Sequence, residues 1–353
     1  MHSAATFTST TFSVTGGTFN QGGAFVSTTF GCTSTGIFVG SSATMTTTAV
    51  TFSNTANLTA TSGVWTCTGN MTKANTPTFS ANGGTIALTT GGIQTVNMDG
   101  LTFNLVTINA SGSVTVASGT TLPLGSSPTV NDGTGLTVTG TISGTGTLTY
   151  TGATMTVSAT TGTISGFTTL LIDNTSLTVN TTSTIPSNLN VTFNRTNSFA
   201  TNFNPGGQTY GTVKRTGSGN GQWSINAAGT YGTFQDNEGS AAHTITFLSG
   251  ATQTVSTFTV AGAAGQLITL RAGTTNSVWT LTTASGAKTA DYVVIQDSTV
   301  DASPTWTADS NSADGGGNTN WLGFAGGAGA GGGGSAVQVR GGSRAGSAGR
   351  RFP

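Results

Sequence analysis

Short runs in which an apolar residue alternates with Thr or Asn recur along residues 84–200 of the chain. An alternation with a period of two buries one face of a β-strand and leaves the other face in water. Segments rich in Gly, Ser and Asn separate the runs and favour turns. The runs occupy residues 85–88, 101–103, 114–116, 136–138, 148–150, 155–157, 177–179 and 189–193. The pattern predicts many short strands, each with one buried face.

The connections between these strands favour a parallel β-solenoid over hairpins. Hairpins need two-residue turns such as Asn-Gly or Asp-Gly at regular intervals, and only isolated cases such as Asp132-Gly133 occur. In a solenoid, stacked coils pair their short strands in parallel, and Thr can form ladders along the outer face. Coils of about 22 residues stacked at about 4.8 Å would give about 14 coils and a rod on the order of 70 Å long. We therefore predict an all-β fold, a right-handed parallel β-helix (β-solenoid), with an array of β-sandwich domains as the alternative.

Composition argues against helical and disordered chains. Only 6% of the residues are charged, and the chain contains one Glu and three Lys, so strong helix formers are scarce. We find no apolar stripe with a period of 3.6 residues. Low charge also argues against a disordered chain that is expanded by its own charge. An ordered, all-β chain is the remaining interpretation.

The few charges are distributed unevenly along the chain. Residues 3–72 contain no Asp, Glu, Lys, Arg or His, and the first 194 residues contain only four charged side chains. A body with so little charge has a weak electrostatic field. We therefore expect no nucleic-acid partner.

No membrane or targeting segment is predicted. No apolar run approaches 18 residues, so we expect no membrane association. The first residues lack a basic region, and Phe7, Phe12 and Val14 are separated by Thr and Ser rather than forming a hydrophobic signal core. If Met1 is the true start, we expect the protein to fold in the cytoplasm where it is made. That expectation favours a phage component assembled inside its host over an exported surface protein.

A stretch punctuated by Gly and Ser, residues 262–324, carries further strand-like runs at 267–270, 278–281 and 292–295. Its distinctive motifs are Leu267-Ile268-Thr269-Leu270-Arg271, Trp279-Thr280-Leu281, Asp291-Tyr292-Val293-Val294-Ile295-Gln296-Asp297-Ser298, Trp306, and Asp314-Gly315-Gly316-Gly317-Asn318 with Trp321. With these motifs the stretch resembles the C-terminal module of Thr/Gly-rich β-solenoid proteins of tailed-phage virions and bacterial surface proteins. The resemblance implies an architecture and not a chemistry, because such modules occur on proteins with different functions.

The resemblance and the composition together divide the chain into three parts. Residues 1–261 are predicted to form the solenoid body, and residues 262–324 a C-terminal module that caps it. Residues 325–353 are rich in Gly, Ala and Arg and are predicted to be a flexible tail.

Acidic side chains gather near the end of the predicted module and are the candidates for a metal site. They are Asp291, Asp297, Asp301, Asp309 and Asp314. Carboxylates bind Ca²⁺, so Asp297, Asp301 and Asp314 are candidate ligands, although their spacing fits neither an EF-hand loop nor a Gly-Asp nonapeptide repeat. The favoured interpretation is that these residues cap turns and keep the end of the rod soluble. We predict no cofactor.

Catalysis needs placed acids, bases or nucleophiles, and the chain has few of them. His243 is predicted to be a surface or turn residue, since no G-x-S-x-G motif accompanies it. Trp279, Trp306 and Trp321 are predicted to close the hydrophobic end of the solenoid, with a sugar-stacking surface as the alternative. We therefore predict that the protein is not an enzyme, and we assign no catalytic residue.

Two cysteines, Cys32 and Cys67, lie 35 residues apart. Two coils of a solenoid could bring them together, so a disulfide is one interpretation. Two buried free thiols are the favoured one, because free Cys is among the most buried residue types.

These observations favour a structural function. The hypothesis is a virion protein of a tailed phage, a capsid decoration or a tail or head fibre, that acts as a rigid rod. Exposed strand edges at each end need a partner, so we expect self-association, with a trimer as the geometry that phage fibres most often resemble. Other virion proteins and a host-surface glycan are the further expected partners. The alternatives are an extracellular or cell-surface bacterial protein that adheres or forms filaments, and a carbohydrate-active enzyme on the same scaffold.

Overall fold

Parallel strands stacked turn upon turn make up the molecule. The computed structural model describes residues 5–158, 161–173 and 175–324. These residues form β-strands and no α-helix, and the named strands pair in parallel. The predicted parallel β-helix is confirmed, with about 15 turns. The alternative array of β-sandwich domains is wrong, because such sandwiches are built from antiparallel sheets. None of the described segments forms a helix that could span a membrane.

Most strands are short, as expected when Gly, Ser and Asn interrupt each apolar run. The strands are β1 (Phe7–Val14), β2 (Thr18–Asn20), β3 (Phe25–Cys32), β4 (Ile37–Val39), β5 (Met45–Ser53), β6 (Asn57–Thr59), β7 (Val64–Cys67), β8 (Met71–Ala74), β9 (Thr78–Ser80), β10 (Thr85–Leu88), β11 (Ile93–Asn97), β12 (Leu105–Ala110), β13 (Ser113–Val116), β14 (Thr121–Ser126), β15 (Thr129–Asp132), β16 (Gly135–Val138), β17 (Thr141–Tyr150), β18 (Thr154–Val157), β19 (Thr163–Asp173), β20 (Ser176–Val179), β21 (Asn190–Asn194), β22 (Thr201–Asn204), β23 (Thr209–Thr216), β24 (Trp223–Ile225), β25 (Gly229–Asp236), β26 (His243–Phe247), β27 (Thr252–Ala261), β28 (Ile268–Ala272), β29 (Trp279–Thr282), β30 (Lys288–Asp291), β31 (Val293–Ile295), β32 (Ser298–Val300), β33 (Trp306–Ala308), β34 (Ala313–Asp314) and β35 (Trp321–Leu322).

Each strand pairs with a strand about one turn further along the chain. Val213 of β23 lies opposite Phe234 of β25, and Phe234 lies opposite Phe258 of β27, so these two turns take 21 and 24 residues. The predicted coil of about 22 residues agrees with this spacing. A separate four-stranded sheet of β2, β4, β6 and β9 covers one further side of the early turns.

The inward-facing side chains of successive turns form one apolar core from Val14 to Trp321. Leu136, Met155 and Leu177 illustrate the stacking, because they are paired in register on β16, β18 and β20 and are almost fully buried. Complete burial of such a side chain stabilises a fold by about 1.5–3 kcal/mol. The stability of the rod therefore comes mainly from this continuous core.

The outward-facing positions carry the predicted Thr ladders. One ladder contains Thr95, Thr115, Thr137, Thr156 and Thr178, each paired in register with the next along β11, β13, β16, β18 and β20. Cross-strand Thr pairs stabilise a sheet. The repeated Thr of the sequence is thus explained by its position on the outer face.

Residues 101–103, which the alternation predicts to be a strand, do not form one. Gly100 has a φ of 70°, and the Leu101 N–H donates to the Met98 carbonyl at 3.0 Å, so the backbone turns here. Phe103 is nevertheless buried and packs edge-on against Phe79, with 5.4 Å between ring centroids. The prediction was wrong because burial of one aromatic ring produced the alternating pattern without a strand.

The sheet continues without a break across residue 261, where the sequence suggested a boundary. β27 pairs with both β29 and β30, which lie beyond that boundary. The strand-like runs at 267–270, 278–281 and 292–295 correspond to β28, β29 and β31, so these three predictions are confirmed. The division into body and capping module remains a prediction, and the tail at 325–353 lies outside the described residues.

Candidate functional site

A cluster of three buried ionisable side chains lies inside the rod. We call Arg215, Asp236 and His243 the buried charged cluster. Arg215 lies near the end of β23, Asp236 ends β25 and His243 begins β26. The Asp236 carboxylate is 2.8 Å from His243 Nε2 and 3.7 Å from Arg215 Nη1, and none of the three side chains is exposed. Three ionisable groups in such an apolar interior need one another as partners.

The chain brings the cluster together through the length of one turn. Arg215 and Asp236 lie directly opposite each other in the parallel pairing of β23 with β25. Each follows an inward-facing apolar residue by two positions, namely Val213 and Phe234, so each also points into the core. Sequence reasoning missed both residues. The signal that could have found them is a charged residue at an inward position of the alternation.

His243 was predicted to be a surface or turn residue, and this prediction is wrong. The side chain is buried, with both ring nitrogens close to acceptors: Nε2 to Asp236, and Nδ1 to the Ala241 carbonyl at 3.0 Å. Arg215 Nη1 also lies 3.1 Å from Nε2. Burial is tolerated because of these partners. In this geometry neither ring nitrogen is open to a substrate.

A second buried arginine lies in the preceding turn. Arg195 donates from Nη2 to Asn197 Oδ1 at 3.0 Å and to the Phe199 carbonyl, while Arg215 donates to the Gly219 carbonyl. Burial lowers the pKa of Arg195, and the nearby Arg215 lowers it further. Burial also lowers the pKa of Arg215, and the carboxylate of Asp236 opposes that change. In both turns an arginine bonds to a carbonyl four residues later and closes the loop that follows it.

The candidate Ca²⁺ ligands are separately engaged with backbone N–H groups. Asp297 accepts from Asn276 N–H at 3.2 Å, and Asp301 accepts from Thr283 N–H at 2.8 Å. Asp314 accepts from the N–H two residues later at 2.8 Å. Within residues 5–324, apart from the undescribed positions, no group of three His, Cys, Asp or Glu side chains is arranged to hold a metal. These bonds fit the favoured interpretation of turn-capping carboxylates.

The tryptophans of the predicted module are buried, as the favoured interpretation required. Trp279 stacks on Phe247 with 4.0 Å between ring centroids, and Trp306 packs against Trp321 at 5.5 Å. Trp279 and Trp306 are fully buried and Trp321 is 8% exposed. The alternative of a sugar-stacking surface is wrong, because a ring must be accessible to stack on a sugar.

A shallow depression lies beside residues 101–103, on the side of the rod where the four-stranded sheet ends. Its volume is about 320 Å³, and its lining includes Thr102, Thr121, Ser143 and Pro123. The lining contains hydroxyl groups and apolar atoms and no charged side chain. Such a surface suits a neutral ligand better than a charged one.

Models of known protein families gave no match to the chain, and searches of curated proteins and of solved structures found no similar protein.

Proposed function

We propose that the protein is a structural component of a tailed-phage virion, a capsid decoration or a fibre of the tail or head. It acts as a rigid rod and associates with further copies of itself and with other virion proteins. A host-surface glycan is the attachment ligand if the rod is a fibre. The proposal combines the resemblance of residues 262–324 with the architecture of the described chain.

The observation that carries the proposal is the uninterrupted stack of about 15 turns over a single core. At about 4.8 Å a turn, the stack is on the order of 70 Å long. Backbone hydrogen bonds between parallel strands run along the rod axis in such a stack, so bending it requires many of them to be distorted together. Stiffness over this length is the property that a fibre or decoration needs.

The distribution of basic residues supports exposure to a protease-rich environment. The described part of the chain has six of them: Lys73, Arg195, Lys214, Arg215, Arg271 and Lys288. Half of these six are buried, namely Arg195, Arg215 and Lys288. Residues held inside a strand stack cannot enter a protease active site without local unfolding. Few sites for trypsin-like cleavage therefore remain in the rod.

Immunogold labelling with an antibody to this chain, applied to particles and cells of the source organism and viewed by electron microscopy, tests the proposal. Label on phage heads would support a decoration, and label on tails or head fibres would support a fibre. Label on cell envelopes or free filaments, with phage particles bare, would refute the proposal and favour the bacterial surface protein. Preadsorption of the antibody with the purified chain is the control for specificity.

A further inference from the structure

The first described turn of the rod leaves one strand edge unpaired. β1 pairs with β3 alone among the described strands. It is eight residues long, carries no charge and no Pro, and pairs with β3 without a register shift. Natural proteins protect such edges with Lys, Pro, bulges or very short strands. β1 has none of these protections, so its outward N–H and C=O groups are available to another extended chain.

The same end of the rod presents an aromatic layer. Phe7 is 42% exposed, and Phe12 and Phe19 are partly buried against Phe25. The Phe7 and Phe12 ring centroids are 5.3 Å apart, and those of Phe12 and Phe19 are 4.7 Å apart. Clustered aromatic rings with uncharged surroundings are typical of the centre of a protein interface. We call Phe7, Phe12 and Phe19, together with the edge of β1, the N-terminal end face.

The opposite end of the rod does not complement this face. Its last strands, β34 and β35, have only two residues each, which is one of the natural protections of an edge. Exposed Asp309 and Asp314 lie beside them, and Trp321 covers Trp306. A carboxylate placed against an aromatic layer loses its hydration and gains no partner. Head-to-tail stacking of two rods is therefore disfavoured.

The chain's own tail is also a poor occupant. Its one run of alternating apolar residues, 336–339, begins 12 residues after Phe324, at the far end of the rod. Twelve residues span at most about 42 Å when fully extended, whereas the rod is on the order of 70 Å long. This run cannot reach the N-terminal end face of the same molecule.

We infer that the N-terminal end face binds the same face of a second copy across a two-fold axis, with the two β1 strands antiparallel. An uncharged aromatic face is complementary to itself, and a two-fold contact of this kind closes as a discrete dimer. One turn, from Phe7 to its partner Phe25, takes 18 residues, which approaches the roughly 20–30 residues per side of stable interfaces. The inference rests on the self-association included in the proposed function and specifies two copies instead of three.

Light scattering and small-angle X-ray scattering of the complete 353-residue chain test the inference. We expect twice the mass of 34.9 kDa and a maximum dimension about double that of one rod, on the order of 140 Å. Phe7→Lys and Thr10→Lys each place a charge on the end face, at exposed positions where the fold tolerates it. We expect each to weaken the dimer at least about tenfold, with an unchanged circular dichroism spectrum. Leu322→Lys, at an exposed site on β35, is the matched control and should leave the dimer intact.

Several outcomes would overturn the inference. A monomer at about 100 μM, a trimer, or a dimer no longer than one rod would each do so, as would a dimer that resists both β1 variants. Loss of the dimer on deletion of residues 325–353 would show that the tail of another copy is the true occupant. Each of these results would leave the virion proposal standing, because the labelling experiment decides that proposal separately.

Discussion

Replacement of Asp236 by Asn should destabilise the rod by about 3–5 kcal/mol, the usual cost of removing one partner from a buried ion pair. The substitution preserves volume, so no cavity is created. It removes the carboxylate that lies 2.8 Å from His243 Nε2 and 3.7 Å from Arg215 Nη1. At an effective dielectric constant of about 20, a pair of charges near 4 Å apart interacts by about 4 kcal/mol. Arg215 and His243 would remain buried without their acidic partner.

A double-mutant cycle separates the loss of the pair from other effects. We expect Asp236→Asn and Arg215→Met to be coupled by about 1–3 kcal/mol, because the double variant leaves no uncompensated arginine in the core. Urea is the appropriate denaturant, since guanidinium would screen the charges. Stacked turns can unfold in parts, so amide hydrogen exchange in β23, β25 and β26 should accompany the unfolding curve. Asp309→Asn, at an exposed carboxylate, is the control and should change stability by less than about 0.5 kcal/mol.

The argument fails if Asp236→Asn costs less than about 1 kcal/mol and the double variant equals the sum of the single ones. Exchange that is faster throughout the rod, and not first in β23, β25 and β26, would also contradict a local role for the cluster.

A Cβ added at Gly112 would lie 1.8 Å from the Gly92 carbonyl oxygen of the turn before, so Gly112→Ala should cost about 1–3 kcal/mol in urea unfolding, whereas Gly92→Ala faces open space and should be nearly neutral. Burial raises the pKa of Cys32 to about 11 and also raises the pKa of Cys67, and both thiols are free. We therefore expect neither to react with a thiol reagent at pH 8 until urea is added, and rapid labelling of the native protein would contradict their burial. Burial also raises the pKa of Asp132 above its ordinary value of 3.8, so the folded state binds this proton more tightly than the unfolded state. The stability contributed by Asp132 should then fall as the pH rises above 3.8, and the difference in Tm between the wild type and Asp132→Asn should decrease over that range.

The period-two alternation was sufficient to predict most of the fold. Runs such as 136–138 and 155–157 place an apolar residue on either side of Thr, and the structure has β16 and β18 there with Thr137 paired to Thr156. The alternation works because the pleat of a strand is a local property of the backbone. It failed at Phe103, whose burial depends on packing against Phe79 in the preceding turn.

The sequence by itself determined that the chain is all-β, that its strands are short, and that Thr faces outward while apolar residues face inward. Only the tertiary structure decided which turn lies against which, and therefore that Arg215 meets Asp236 and that His243 is buried beside them. The physical reason is that alternation is encoded within a few residues, whereas register between turns depends on loop lengths and on core packing summed over whole turns. The unpaired edge of β1 is likewise a property of the assembled stack, because a strand has an edge only once its neighbours are in place.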